Sequence, residues 1–502
     1  MNKLLSNDNF KYAIHKSKTF VVTGFRWSGT PQLLLKLIRD SFDEFNLPRK
    51  ITIVFTSSAT DPGLDRLAHP DLIDESIGSY YGSIPKIRGL IQKNLIKGYS
   101  LPQGQISLLL REIARGSPGL ISKVGINTYV DPDMNGGKLN KKTKRKLIRN
   151  ILIDNDRYLF YNTIKIDTAI IRGSIADKSG NISMIDEPVK TEFLSMAQAA
   201  KTNGGKAFVQ VSQISNETLE PSLIDLPSHL VDGVILSNDH KKYHRQTNKF
   251  VINQNFTKIG NTREKKNLNN DPMHKKIIAN NAIKFINKND NLILGQGVPE
   301  LVGVNIRKQK HKFPNVLTFM ESGVIGGLPE RRPDFGVAFN PSSFLTQDNQ
   351  FVGFNGGHID TAILSFVEFD KNGNVNVSYL GDQYFGCGGF IDICYGVKKI
   401  LFVGSLTTKG LSANKENQKI TIKTEGKVKK AVNKVKEITF SPELDSDRQK
   451  IFVITERCIF SIKANIVTIE KIYSGINLEK DVLANMDFEP QISEKINCQK
   501  NY

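Results

Sequence analysis

Two stretches of this 502-residue chain share one order of apolar and polar positions. From Thr19, TFVVTGFRWSGTPQLLLKLI sets an apolar run before a glycine-containing loop, then a proline, then apolar residues at helical spacing. From Asn291, NLILGQGVPELVGVNI repeats that order. A strand, a glycine turn and a helix starting near proline is an α/β signature. Each copy is followed by a second shared landmark: IDTAIIRGSIADKSGNIS from Ile166 and IDTAILSFVEFDKNGNVNVS from Ile359. Both open Ile-Asp-Thr-Ala-Ile, and both place Asp-Lys-x-Gly-Asn between β-rich runs, which predicts a hairpin turn. The duplication predicts two related α/β domains in tandem, the first with a longer insertion between its landmarks.

The same pattern sets the boundaries. Periodic apolar residues thin out from about Asn238 to Asp271 and resume at KKIIANNAIKFI. The expected division is a first domain over 1–240, a polar linker over 241–272, a second domain over 273–493 and a frayed tail over 494–502.

Composition narrows the classes. Apolar residues make up 39% and charged residues 24%, the range of a soluble globular protein. No run approaches the ~18 apolar residues of a membrane span, and charges interrupt the N-terminal segment where a signal peptide would need an apolar core. The expectation is a cytoplasmic protein with no membrane contact. Cys387, Cys394, Cys458 and Cys498 form no CxxC pair and no zinc spacing; they read as free thiols, with no metal. The net charge of +19 lies in lysine- and asparagine-rich blocks, such as Lys138–Arg149, without interleaved aromatic residues. These read first as solvated surface, then as steering for an anionic ligand, and last as a nucleic-acid surface.

Candidate chemistry lies in the glycine loops. FMESGVIGGLPE, Phe319 to Glu330, sets Glu321 between an apolar run and Gly323, Gly326 and Gly327. A carboxylate there loses water and becomes a better nucleophile or a base of raised pKa; the plainer reading is the first polar residue after a strand. GQGVPE (Gly295–Glu300), GFRWSGTP (Gly24–Pro31) and FGCGGFID (Phe385–Asp392) could each bring backbone N–H groups to a ligand, or simply join a strand to a helix. Cys387 could be a nucleophile or a small residue tolerated beside glycine. His69 could be a base or a buried polar group. Gln103, between Pro102 and Gly104, could present its amide to a ligand or satisfy backbone groups.

Taken together, GLDRLAHPDLIDESIGSYYGSIPKI, LPQGQISLLLREIARGSPGLISKVGINTYVDP, NGGKLN, IRGSIADKSGNISM, GQGVPE, ESGVIGGLPE, GCGGFIDI and VTERCIFSI resemble, in order, the family I coenzyme A transferases, particularly the single-chain acetate and propionate enzymes. The resemblance implies a tandem α/β fold with the active site between the halves and a homodimer or homotetramer. It implies that Glu321 is the catalytic nucleophile, that Gln103, Gly388 and Gly389 form the oxyanion and acyl pocket, and that the loops of Gly24, Gly29, Gly295 and Gly297 bind coenzyme A. Arg26 and Trp27 stand where relatives tend to have small residues. The implied substrates are an acyl-CoA and a short carboxylate of the acetate, propionate, butyrate or acetoacetate class. Coenzyme A would serve as substrate and transient covalent thioester, with no permanent cofactor. The other readings are an acyl-CoA hydrolase on the same scaffold and a non-catalytic binder of anions or nucleic acid.

Overall fold

The computed structural model describes residues 3–57, 63–260, 271–444 and 449–497. The first half is built on seven parallel strands. Across the sheet they run Gly233–Leu236, Lys206–Val211, Thr168–Arg172, Thr19–Val22, Ile51–Phe55, Ile73–Gly78 and Lys97–Ser100. The strand Thr19–Val22 is nearly all apolar and lies between two neighbours, as a continuous apolar run in a parallel sheet should. The following helix, Gln32–Phe45, turns Leu33, Leu34, Leu37, Ile38 and Phe42 inward. Its outer face carries Lys36 with Asp40 and Arg39 with Asp43, each four residues apart.

The second half repeats this plan. Strand Asn291–Leu294 lies between Leu317–Phe319 and Thr361–Leu364, and Lys399–Val403 and Lys450–Ile454 continue the sheet in parallel. Antiparallel strands Cys458–Lys463 and Ile466–Ile472 extend one side. The duplicated landmarks occupy equivalent places: Thr168–Arg172 and Thr361–Leu364 each pair in parallel with the strand that opens their half. The hairpins form as the repeat predicts, with Ala176 opposite Ile182 and Phe369 opposite Val375. In each turn the aspartate closes the loop on itself. Asp177 Oδ1 accepts the N–H groups of Ser179 and Asn181 at 2.9 and 3.0 Å; Asp370 Oδ1 accepts those of Asn372 and Asn374, both at 3.0 Å.

The polar segment after Asn238 is packed against the body of the protein where it is described. Arg172 Nη1 donates to the Arg245 carbonyl at 2.7 Å, Ser28 Oγ to the Gln246 carbonyl at 2.6 Å, and the Asn248 N–H to Asp334 Oδ1 at 2.7 Å. Phe256 is buried against Phe339, ring centres 4.5 Å apart. Its backbone groups thus carry structural hydrogen bonds to both halves, a use that apolar periodicity does not register. Residues 261–270 of the expected linker and 498–502 of the expected tail, including Cys498, lie outside the described residues. The tail begins as a helical turn, Glu494–Asn497, with Ile496 buried.

Candidate active site

A cavity of about 300 Å³ opens between the halves. Glu321 reaches it from a tight turn. Strand Leu317–Phe319 ends there, the Gly323 N–H donates to the Met320 carbonyl at 3.0 Å, and the Met320 N–H donates to the Val324 carbonyl at 3.0 Å. Gly323, at φ +92°, passes so close to the Leu345 carbonyl that a Cβ would stand 2.1 Å from its oxygen. Met320 and Ser322 are buried on either side and fix the turn, leaving Glu321 half-buried at the cavity wall. Burial pushes its carboxyl up to about 7, against the opposing pull of the Gly389 N–H and the Arg26 charge.

The turn from Phe385 to Phe390 faces it. Gly389 caps the helix Phe390–Gly396 with an ordinary φ of −84°, and a methyl group placed on it would lie 3.1 Å from Glu321 Oε2. Its N–H donates to the Glu321 carboxylate. Gly388 lines the cavity, but its N–H is engaged by the Ser79 carbonyl at 3.0 Å. The expected donation of both N–H groups to an oxyanion is therefore corrected for Gly388, whose amide instead docks the turn onto the first half. Its carbonyl in turn accepts the N–H of Gln103 at 3.0 Å.

Gln103 opens the helix Gln103–Ala114 and is 1% exposed. It lines the cavity, and among the described residues its Nε2 finds no hydrogen-bond partner. A buried amide left unpaired beside a cavity is free to meet a ligand oxygen. Asp392 sets the register of this helix against the glycine turn: it accepts from the Gly104 N–H at 2.9 Å and from Gln105 Nε2 at 2.7 Å. Burial, with the Glu321 charge adding to it, pushes Asp392 up to about 7.

Of the four expected coenzyme A contacts, Gly295 lines the cavity and Gly24, Gly29 and Gly297 do not. Gly24, at φ +134°, lets its loop turn past Thr30, and Gly297 caps the helix Val298–Lys308. These glycines shape loops whose other residues, Phe25, Arg26 and Gln296, face the cavity. Cys387 also lines it, yet burial pushes its thiol up to about 12 and its Sγ donates to the Leu101 carbonyl at 3.6 Å, so it is held as a neutral thiol. His69 lies outside the cavity, half-buried, with its ring on Phe42 and its Nδ1 accepting the Asp71 N–H. Arg332, Gln296, Asp392, Ser57 and Tyr80 were not singled out from the sequence; each is an ordinary polar residue within or beside a motif, and only the meeting of the two halves brings them together. Among the described residues no cluster of side chains suits a metal ion, and no helix is long and apolar enough to cross a membrane.

The architecture is that of an α/β enzyme of two repeated domains with a cavity where they meet. Residues 8–237 match the family model described as Coenzyme A transferase. The chain is 35% identical over 98% of its length to caffeate CoA-transferase of Acetobacterium woodii, covering 95% of that protein. It is 34% identical over 92% of its length to acetate CoA-transferase YdiF of Escherichia coli O157:H7, covering 87% of that protein. The crystal structure of the YdiF acyl-CoA transferase apoenzyme from that organism superposes with a TM-score of 0.90 at 32% identity, over 98% of this chain and 94% of that one. A thioester complex of that enzyme with CoA matches equally. The chain belongs to the coenzyme A transferase family, enzymes that move coenzyme A between an acyl-CoA and a carboxylate.

Proposed function

We propose that the protein transfers coenzyme A between a short-chain acyl-CoA and a short carboxylate through a thioester on Glu321. The observation that carries this reading is the Glu321 carboxyl, raised to about 7 by burial and lying against Gly389 in the cavity between the halves. A carboxylate is a weak nucleophile in water, and partial loss of hydration strengthens it. Its oxygen attacks the thioester carbonyl carbon, the C–S bond breaks, and coenzyme A leaves as thiolate from a mixed anhydride. The thiolate then attacks the glutamyl carbonyl, releasing the first acid and leaving a glutamyl-CoA thioester. An incoming carboxylate attacks that glutamyl carbonyl and expels the thiolate. The thiolate next attacks the acyl carbonyl of the new anhydride, so the product acyl-CoA departs and the Glu321 carboxylate is restored. The Gly389 N–H and Gln103 Nε2 are the donors we assign to the oxygen that gains charge in these steps. The existence of a CoA thioester complex for YdiF supports the intermediate. We further infer domains over 1–240 and 273–493 joined by 241–272, and a cytoplasmic homodimer or homotetramer, which sedimentation of the purified protein would check.

Incubation with acetyl-CoA and no acceptor tests the chemistry. Intact-mass and peptide analysis should find coenzyme A attached at Glu321, because a general base leaves no adduct. Glu321→Ala should form none. Glu321→Asp, which withdraws the carboxylate by about 1 Å, should turn over on the order of 10²-fold more slowly. An adduct on Cys387, or normal turnover by Glu321→Ala, would overturn the mechanism.

A further inference from the structure

The cavity lining contains an apolar patch and polar groups from both halves. The second half contributes Leu364, Phe366, Val367 and Val377, apolar surface suited to the uncharged pantetheine arm of coenzyme A. The first half contributes Arg26, Ser57 and Tyr80 beside Gln103. Arg26 stands at the tip of a two-residue turn closed by the Phe25 N–H to the Ser28 carbonyl at 2.8 Å and by the Ser28 N–H to the Phe25 carbonyl at 3.1 Å. Its φ is +57°, a left-handed conformation that disfavours any residue with a Cβ. The turn is braced from behind: Thr30 Oγ1 donates to the Arg26 carbonyl at 2.6 Å, and Ser28 Oγ holds the Gln246 carbonyl. An arginine kept in a conformation that glycine would occupy more easily points to work for its guanidinium.

The charges of Glu321 and Glu300 act on that guanidinium, but from beyond salt-bridge distance. It donates to Gln296 Oε1 at 3.3 Å and, among the described residues, forms no salt bridge. The Arg332 guanidinium donates to the same oxygen, so two cations share one neutral amide. Burial pushes Arg26 below its ordinary pKa, with Arg332 adding to it and Tyr80, Glu321 and Glu300 pulling the other way.

Resting on the transferase reading above, we propose that Arg26 binds a second carboxylate on the acyl group, and that the enzyme therefore favours short dicarboxylic acids and their mono-CoA thioesters. The reacting carboxylate lies at Glu321, and the distal one meets the planar fork of Arg26, with Arg332 as the outer charge. A phosphate of coenzyme A is the competing anion, but the whole pantetheine arm separates it from the sulfur. That sulfur must reach Glu321, whose cavity Arg26 shares. Arg26 is accordingly on the acyl side.

The test measures kcat/KM with acetyl-CoA as donor and succinate, glutarate, acetate or butyrate as acceptor. Succinate or glutarate should exceed butyrate by at least about tenfold, the scale of one charge-assisted hydrogen bond. Arg26→Gln should lower that ratio on the order of 10–100-fold, and Arg26→Lys should recover part of it. Should Arg26→Gln fail to fold, the preference of the unaltered enzyme decides alone. A wild-type enzyme that transfers to monocarboxylates with no dicarboxylate preference overturns this inference and leaves the transferase reading standing. An equal loss on all four acids in Arg26→Gln also overturns it, assigning Arg26 to the coenzyme or to Glu321. Absence of transfer to every acid, with no adduct on Glu321, overturns the transferase reading and this inference with it.

Discussion

Gln103 is a buried amide whose Nε2 is unpaired among the described residues, at a cost on the order of 1–3 kcal/mol that a ligand oxygen would offset in the proposed role. Gln103→Ala should therefore slow transfer by about 10²–10³-fold, with the melting temperature unchanged or raised; full activity would remove Gln103 from the site. Glu321 carries the pH dependence. In the mechanism proposed above the nucleophile is its ionised form, so kcat/KM should rise with pH through about 7 and then level off. Asp392 titrates in the same range because it is buried near the Glu321 charge, and the observed limb belongs to the pair. The stability effect has the opposite sign. A folded-state pKa above the ordinary value near 4.5 means that the folded protein holds this proton more tightly than the unfolded chain. Its contribution thus falls as pH rises from about 4.5 to about 7 and stays low above that. Calorimetry should find Glu321→Gln melting higher than the wild type at pH 8, with the gap closing toward pH 5. A gap of the same size at both would mean that desolvation of the charge is not its source.

At the scale of elements, the glycine turn and the start of the Gln103 helix act as one piece. A methyl on Gly389 would meet Phe351 Cζ at 3.0 Å and Glu321 Oε2 at 3.1 Å, while the backbone there is in a conformation any residue adopts. Gly389→Ala should consequently fold normally, judged by circular dichroism, and lose on the order of 10²-fold in rate through displacement of the carboxylate. Retained activity would separate the turn from the chemistry. The contrast with Gly388 shows what local pattern can and cannot convey. Strand, turn and helix around Thr19 and Asn291, and the hairpins of Asp177 and Asp370, form from contacts within a few residues, and the duplicated spacing exposes them. The direction of the Gly388 N–H is decided by Ser79, far away in the chain and in the other half. Likewise, Arg26 is visible in the sequence only as an oddity in a glycine loop; its place beside Gln296, Arg332 and Glu321 exists once the halves meet.

The whole molecule is a clamp of two copies of one fold, held by apolar packing such as Phe25 against Phe335 and by specific polar contacts. Glu192 of the first half accepts from Thr56 Oγ1 at 3.0 Å, from Ser107 and from Gln347 of the second half, and Gly388 is bound to both Ser79 and Gln103. Among the described residues that line the cavity so formed, Glu321 is the one carboxylate, faced by the Gly389 N–H from one side and bounded by Gln103 on another. On the proposed thioester route, a departing acid and an incoming acid need the same position against Glu321, because each must bond to, or have just left, the same carbonyl carbon. They cannot be bound productively together, and coenzyme A must wait on the enzyme between them. Initial rates measured at several fixed concentrations of acyl-CoA against varied acid should therefore give parallel double-reciprocal lines. Intersecting lines would require a ternary complex and would count against the thioester route.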